Sequence, residues 1–201
     1  MSAQNRAVTK EDYESYVYLM PAKFGAIKRA TIINDPSSSN RRLSLYVVST
    51  DNDGNLVLTN DTVKNNLKTW LKTKKMLNDS IDIYDPYIIN VGVDFHVSID
   101  EYYEKEVVLN NCMTVLKSMF ATKLFIGEPL YSSNIFRDLN KIEGIIDVRK
   151  VEFKIKSGSN YANAPISLQE LMSSDGTFLK TPKNAILEVK FPDLDIKGIA
   201  K

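Results

Sequence analysis

Apolar residues recur along this chain with two periods, near 3.6 and near 2, and the switches between them mark the expected elements. Tyr13, Tyr16, Val17 and Met20 share one face of a helix that opens at Thr9-Lys10-Glu11-Asp12 and stops before Pro21. Thr9 is placed to accept a bond from an orphan backbone amide, Glu11 and Asp12 suit the positive helix end, and the residue before a proline avoids helical geometry. Residues 26–33 read as a strand, and 34–40, rich in Asn, Pro and Ser, as a loop. Leu43, Leu45 and Val47 mark a strand over 43–50, followed by a turn at Asp51-Asn52-Asp53-Gly54-Asn55. Asn60 or Asp61 then caps a helix with an apolar stripe of Val63, Leu67, Trp70, Leu71 and Leu77, and with most of its lysines opposite. A short strand at 81–84 is broken at Asp85-Pro86.

The clearest strand follows. Val91, Val93, Phe95, Val97 and Ile99 alternate with Gly92, Asp94, His96 and Ser98, so one face belongs to a core and the other is polar or meets a partner. Residues 104–122 form a long helix with Val108, Cys112, Val115, Leu116 and Met119 on its stripe. Ser132 or Ser133 is the expected cap of a short helix holding Ile135, Phe136 and Leu139. A strand over 145–155 changes phase at Arg149-Lys150, the mark of a bulge. Residues 156–184 carry little pattern, and Ala185, Leu187, Val189 and Phe191 give a last alternating strand.

From residue 43 the order strand, helix, strand, strand, helix, strand is the split βαβ pattern of ferredoxin-like α+β domains. The expected division is an N-terminal helix and strand segment (1–42), a ferredoxin-like α+β domain (43–156) and an extended C-terminal segment (157–201). That last segment is expected to wrap the domain or a partner and to be protease-sensitive in the isolated chain.

Composition narrows the functional classes. The 26 basic residues nearly cancel the 25 acidic ones, so no general field favours nucleic acid or an anionic membrane. A single cysteine, Cys112, excludes an internal disulfide framework and points to a reducing setting. The first ten residues lack the apolar stretch of a signal peptide, and no apolar run reaches membrane-spanning length. His96, the one histidine, has no metal-binding or triad companions at a recognisable spacing, and it reads as a surface or interface residue. Cys112 sits in an apolar stripe and reads as core. Glycine-rich phosphate loops are absent. The lysines of the second helix read as a solvated face, and Phe153 lacks the signature glycine and second aromatic of an RNA-recognition strand. No catalytic, cofactor-binding or metal-binding residue is assigned, no cofactor is expected, and the chain reads as a non-enzyme. Tyrosine is frequent, at 10 of 201 residues, and it suits interfaces by burying area while keeping a polar tip. The residues expected at an interface are Tyr13, Tyr16, Tyr18, Asp94, His96, Tyr102 and Tyr103.

Arg6-Ala7-Val8-Thr9-Lys10-Glu11-Asp12-Tyr13 resembles the opening of the domain shared by baseplate J-like proteins, which include the large wedge subunit of T4-like phages. The stretch from Pro21 through Gly25 to Ala30 is similar to that family's next strand, and Leu45-Tyr46-Val47-Val48 to the apolar strand after it. Leu130-Tyr131-Ser132-Ser133-Asn134-Ile135 and Ile142-Glu143-Gly144-Ile145-Ile146-Asp147-Val148 resemble its late pattern, and the run from Ala185 to Gly198 resembles the end of T4-like members. The similarity covers most of the chain but only the C-terminal part of such subunits, which implies a piece made for expression, a fragment or a split gene. It implies a structural role in the wedge of a contractile phage tail baseplate: self-association as a homodimer or ring around the hub, contacts with other wedge proteins, and a place in the virion after assembly in the host cytoplasm. No cofactor, nucleic acid or membrane partner comes with it. The alternative from fold order alone is a ferredoxin-like regulatory or nucleic-acid-binding module.

Overall fold

A computed structural model describes residues 6–34 and 42–200. The chain is α+β, as expected, and divides into two compact units, Met1–Tyr87 and Ile88–Lys201. The strand and helix series expected as one run from the sequence is shared between two four-stranded sheets, one in each unit, and the second unit adds a two-stranded sheet.

The first unit opens with helix α1 (Lys10–Tyr18). Its start is a capping box: the Asp12 amide donates to Thr9 Oγ1 at 3.2 Å, and the Thr9 amide donates to Asp12 Oδ2 at 2.9 Å. Gly25 follows a short 3-10 turn at Ala22–Phe24 with φ of 119°, and a Cβ there would lie 2.6 Å from a Val63 methyl. Strands β1 (Arg29–Asn34) and β2 (Arg42–Thr50) pair antiparallel. Beyond Asn34, the loop expected at 34–40 lies outside the described residues. Strand β3 (Leu56–Leu58) returns along the end of β2, helix α2 (Asp61–Lys72) crosses over, and β4 (Ser80–Tyr84) pairs parallel with the start of β2. Asn60 caps α2, its Oδ1 accepting from the Thr62 amide at 2.8 Å. Leu43, Leu45 and Val47 of β2 pack with Ala30, Ile32 and Ile81 against Tyr13, Val17, Leu67 and Leu71. Leu77, expected on the α2 stripe, is 92% exposed because the helix stops at Lys72 and its periodicity no longer applies.

The second unit is built on β5 (Tyr87–Ile99), the central strand of its sheet. Helix α3 (Lys105–Ala121) buries Val108, Cys112, Leu116 and Phe120, a straight run at four-residue spacing. Strand β6 (Leu130–Tyr131) leads into α4 (Ser132–Leu139), which has Tyr131 at its cap position and no side-chain cap. Ser132, expected as a possible cap, instead donates its hydroxyl to the Thr177 carbonyl at 2.6 Å. Strand β7 (Ile145–Ile155) pairs antiparallel with β5, and the register skips Arg149, where the sequence placed a bulge, and skips again at Ile146.

Past residue 156 the chain does more than wrap. It forms α5 (Leu168–Leu171), β8 (Phe178–Leu179), β9 (Ala185–Glu188), α6 (Pro192–Asp195) and β10 (Ile196–Ala200). Strand β8 pairs with β6, β9 pairs with β5, and β10 runs parallel to β5 on the edge opposite β7. Leu171, Leu179, Leu187, Val189 and Ile196 enter the same core as Val93, Phe95, Cys112 and Leu116. Residues 157–200 thus supply part of the second unit's interior.

Candidate interaction surface

From Ile89 to Ile99 the alternation of β5 sends its odd-numbered side chains into the core and leaves Asn90, Gly92, Asp94, His96 and Ser98 on the other face. The half of this face nearest Gly92 is covered from within the unit. Lys156 passes directly over Gly92, where a Cβ would lie 2.4 Å from Lys156 Cε, and reaches Asp195 Oδ1 at 3.3 Å. Tyr161 donates its hydroxyl to the same oxygen at 2.7 Å, and the Phe191 amide donates to Asp195 Oδ2 at 2.9 Å. Asn90 Oδ1 accepts the Ala162 amide at 2.7 Å, while its Nδ2 donates to Glu188 Oε2 at 3.1 Å, and Glu188 also pairs with Lys123 at 2.7 Å. The Asp195 side chain is fully buried, and so is that of Glu188, so these bonds hold the backbone of 156–162 onto the sheet.

The hydrogen bond to Asp195, then burial, then the negative charge of that carboxylate push the Tyr161 phenol up to about 12 from an ordinary 10.0. A raised phenol pKa stabilises the fold fully below the ordinary value, and that contribution is lost as pH rises from there through about 12. In a tyrosinate absorbance titration, Tyr161→Phe should therefore remove a phenol that ionises late and flatten the loss of stability across this alkaline window. An unchanged titration would show that the Tyr161–Asp195 bond is not made.

The other half of the face is open. Register places Lys150 and Ile199 on either side of His96, and Glu152 and Lys197 on either side of Asp94. Lys154 pairs diagonally with Asp94, and Lys150 pairs with Glu152 at 2.8 Å. The hydrogen bond from Lys150 holds the Glu152 carboxyl below its usual range, and the bond to Asp94 raises Lys154. Beside this face, between α3 and β10, lies an open hollow of about 480 Å³ lined by Leu109, Met113, Ile196 and Ile199 together with Asp94, His96, Lys197 and Gly198. Gly198 leaves room for the Phe95 ring, since a Cβ there would lie 2.4 Å from it.

The residues expected at an interface fall into separate groups. Asp94 and His96 share the open sheet face and line the hollow. Tyr102 is 94% exposed in the turn before α3, while its neighbour Tyr103 packs its ring against Gly144 and donates to Glu143 at 3.0 Å. In the first unit Tyr13 is 1% exposed, and its hydroxyl is bonded to Asp79, so the core consumes it and leaves no surface for a partner. Tyr16 is half-buried beneath Lys74, and its carbonyl accepts from Trp70 Nε1 at 2.9 Å. Tyr18 keeps an exposed ring, but its hydroxyl accepts the Ala30 amide at 3.0 Å. Sequence alone does not bring Leu109, Met113, Lys197 and Ile199 to one site, because their meeting depends on where β10 pairs.

Burial of Cys112 pushes its thiol up to about 11, away from the thiolate a nucleophile needs. Among the described residues no cluster of histidine, cysteine and carboxylates has metal-binding geometry, and no helix is long and apolar enough to cross a membrane. Phe153, the aromatic weighed for base stacking, is 4% exposed and belongs to the core.

No protein-family model and no curated protein matches the chain. Among solved structures, it is similar to a chain in the cryo-EM structure of the anti-feeding prophage baseplate, six-fold symmetrised, at 11% sequence identity and a TM-score of 0.54. The fold is shared with a baseplate protein. The likeness covers 93% of this chain and 38% of the other, so this chain spans well under half of its baseplate neighbour.

Proposed function

We propose that this chain is a non-enzymatic structural part of a contractile-tail baseplate, acting in the wedge by associating with copies of itself and with other wedge proteins around the hub. The observation that carries this reading is the fold shared with the anti-feeding prophage baseplate chain over nearly the whole sequence. The resemblance of the Arg6–Tyr13 opening and of the Gly144 and Gly198 regions to baseplate J-like proteins points the same way. Balanced charge supports recognition by shape rather than by a long-range field. Exposed side chains such as Tyr102, Ile146 and Leu194 provide apolar area that the monomer does not bury.

The test is to tag the chain in its native host and fractionate tail-like particles. The chain should co-purify with them, and labelled antibody should decorate one end of the tail. Replacing the almost fully exposed Tyr102 by Ala should leave the thermal midpoint within experimental error and reduce incorporation into particles severalfold, because a solvent-facing ring contributes little to the fold but much to a buried contact. A chain absent from purified particles would sink the assembly reading.

A further inference from the structure

Edge strands invite other strands to pair, and this chain treats its edges differently. The outer edge of β1 is closed from within: the Ala30 amide donates to the Tyr18 hydroxyl at 3.0 Å, and the Ile32 amide donates to Glu14 at 2.9 Å. Next to β4, the groove against α2 is small, about 200 Å³, and is rimmed by Lys68, Lys72 and Lys75, a poor seat for an apolar strand. The β7 edge carries two bulges and the charged run Arg149, Lys150, Glu152 and Lys154.

Among the described residues, no side chain bonds the β10 edge and no bulge interrupts it. It ends the order β10-β5-β7, pairs with β5 without a register shift, and carries one charge, Lys197. Ile199 is half exposed, and the adjoining hollow offers Leu109 and Met113 from α3. Asp94, the register neighbour of Lys197, is already paired with Lys154. A helix flanking an open strand edge gives an added strand main-chain bonds along the edge and a pocket for alternate side chains.

We propose that the β10 edge and its α3 groove accept an extended segment of another protein as an added strand, with apolar residues at alternate positions and a carboxylate placed against Lys197. A second copy fits less well. An antiparallel β10 would bring Gly198 and Ala200 to a hollow of about 480 Å³, leaving it largely unfilled, and would set Lys197 opposite an isoleucine. That the donor is a neighbouring assembly protein rests on the function proposed above; the capacity of the edge to take a strand does not.

The probe is a displayed library of random peptides selected on the full chain. Selected peptides should alternate apolar residues and carry an acidic one. Their binding should slow amide exchange across β10 and should be abolished by N-methylation along one edge of the peptide but not the other. Lys197→Glu alters an exposed side chain and should keep the circular dichroism of the parent. It should weaken acidic peptides about tenfold, the scale of one charge-assisted contact, and favour lysine-containing ones. Selected peptides indifferent to N-methylation and to Lys197→Glu, or no enrichment at all, would overturn the inference. So would sedimentation showing a dimer of the parent chain that Lys197→Glu disrupts, which would assign the edge to a second copy. Particle fractionation reads the assembly role separately, so the two ideas fail independently.

Discussion

Asp195→Ala should destabilise the second unit by roughly 3–5 kcal/mol, the cost of breaking a buried ion pair and leaving its partners unmatched. The carboxylate is fully buried and serves Lys156 at 3.3 Å, the Tyr161 hydroxyl at 2.7 Å and the Phe191 amide at 2.9 Å. Alanine removes all three acceptor contacts and brings no water path for the phenol or the amide. Asp195→Asn keeps one acceptor oxygen and should cost less, about 1–3 kcal/mol. Asp193, two residues away, is the control. Its pair with Lys117 lies in solvent, with the aspartate side chain 81% exposed, so Asp193→Ala should change stability by about 0–1 kcal/mol. The measurement needs a probe in the right unit. Trp70 is the one tryptophan and lies in the first unit, so its fluorescence does not report this loss. Amide exchange across β5 does, and a protection unchanged from the parent in Asp195→Ala would show that the covered half of the sheet face is held by other contacts.

This network also explains what the sequence could and could not show. Local rules found the features that are local. Thr9 and Asp12 sit three residues apart and make their capping box without help from elsewhere. The phase change at Arg149 is visible because a bulge moves every later side chain to the opposite face, and the register skips that residue. The long α3 stripe repeats often enough to be read directly. Strand β10 was not legible. Five residues with a central glycine carry little periodicity, and what makes them a strand is parallel pairing with β5, about a hundred positions earlier in the chain. The candidate surface was half legible for the same reason. Asp94 and His96 declared themselves by alternating with valines and Phe95, but Lys197 and Ile199 join them only through that distant pairing. In sequence Gly92 is one more residue on a polar face; its role as the gap through which Lys156 reaches Asp195 depends on residues far away in the chain.

The proposed assembly role draws on how the second unit divides that face. Where polar groups are buried they are tied to one another, and where they are exposed they alternate in sign along β7 and leave apolar side chains beside β10. A surface that is mixed in charge, rigidly backed and bordered by an open edge suits a permanent partner with matching shape better than a diffusing charged ligand. The fold itself is shared with a baseplate chain, 38% of whose length the likeness covers.

Tyr13→Ala should unfold the first unit at much lower denaturant, with a loss of roughly 3–5 kcal/mol, the usual cost of emptying a buried aromatic site. Tyr13 is the helix residue that joins α1 to the segment between α2 and β4. Its ring packs in the core that holds Leu45, Leu67 and Leu71, its hydroxyl bonds Asp79 Oδ2, and its oxygen accepts the Met76 amide at 3.2 Å. Tyr13→Phe keeps the ring and removes the hydroxyl, so it should cost about 1–3 kcal/mol, the penalty for stranding a buried polar partner. Here Trp70 is the right probe. It is half-buried on α2, and its indole nitrogen bonds the Tyr16 carbonyl of α1 at 2.9 Å, so loosening α1 should shift its emission to the red. The two readings of Tyr13 separate cleanly. An interface residue replaced by alanine would leave the monomer's midpoint in place and weaken association. A core residue would lower the midpoint of the isolated chain at every concentration, and at 1% exposure that is the expected result.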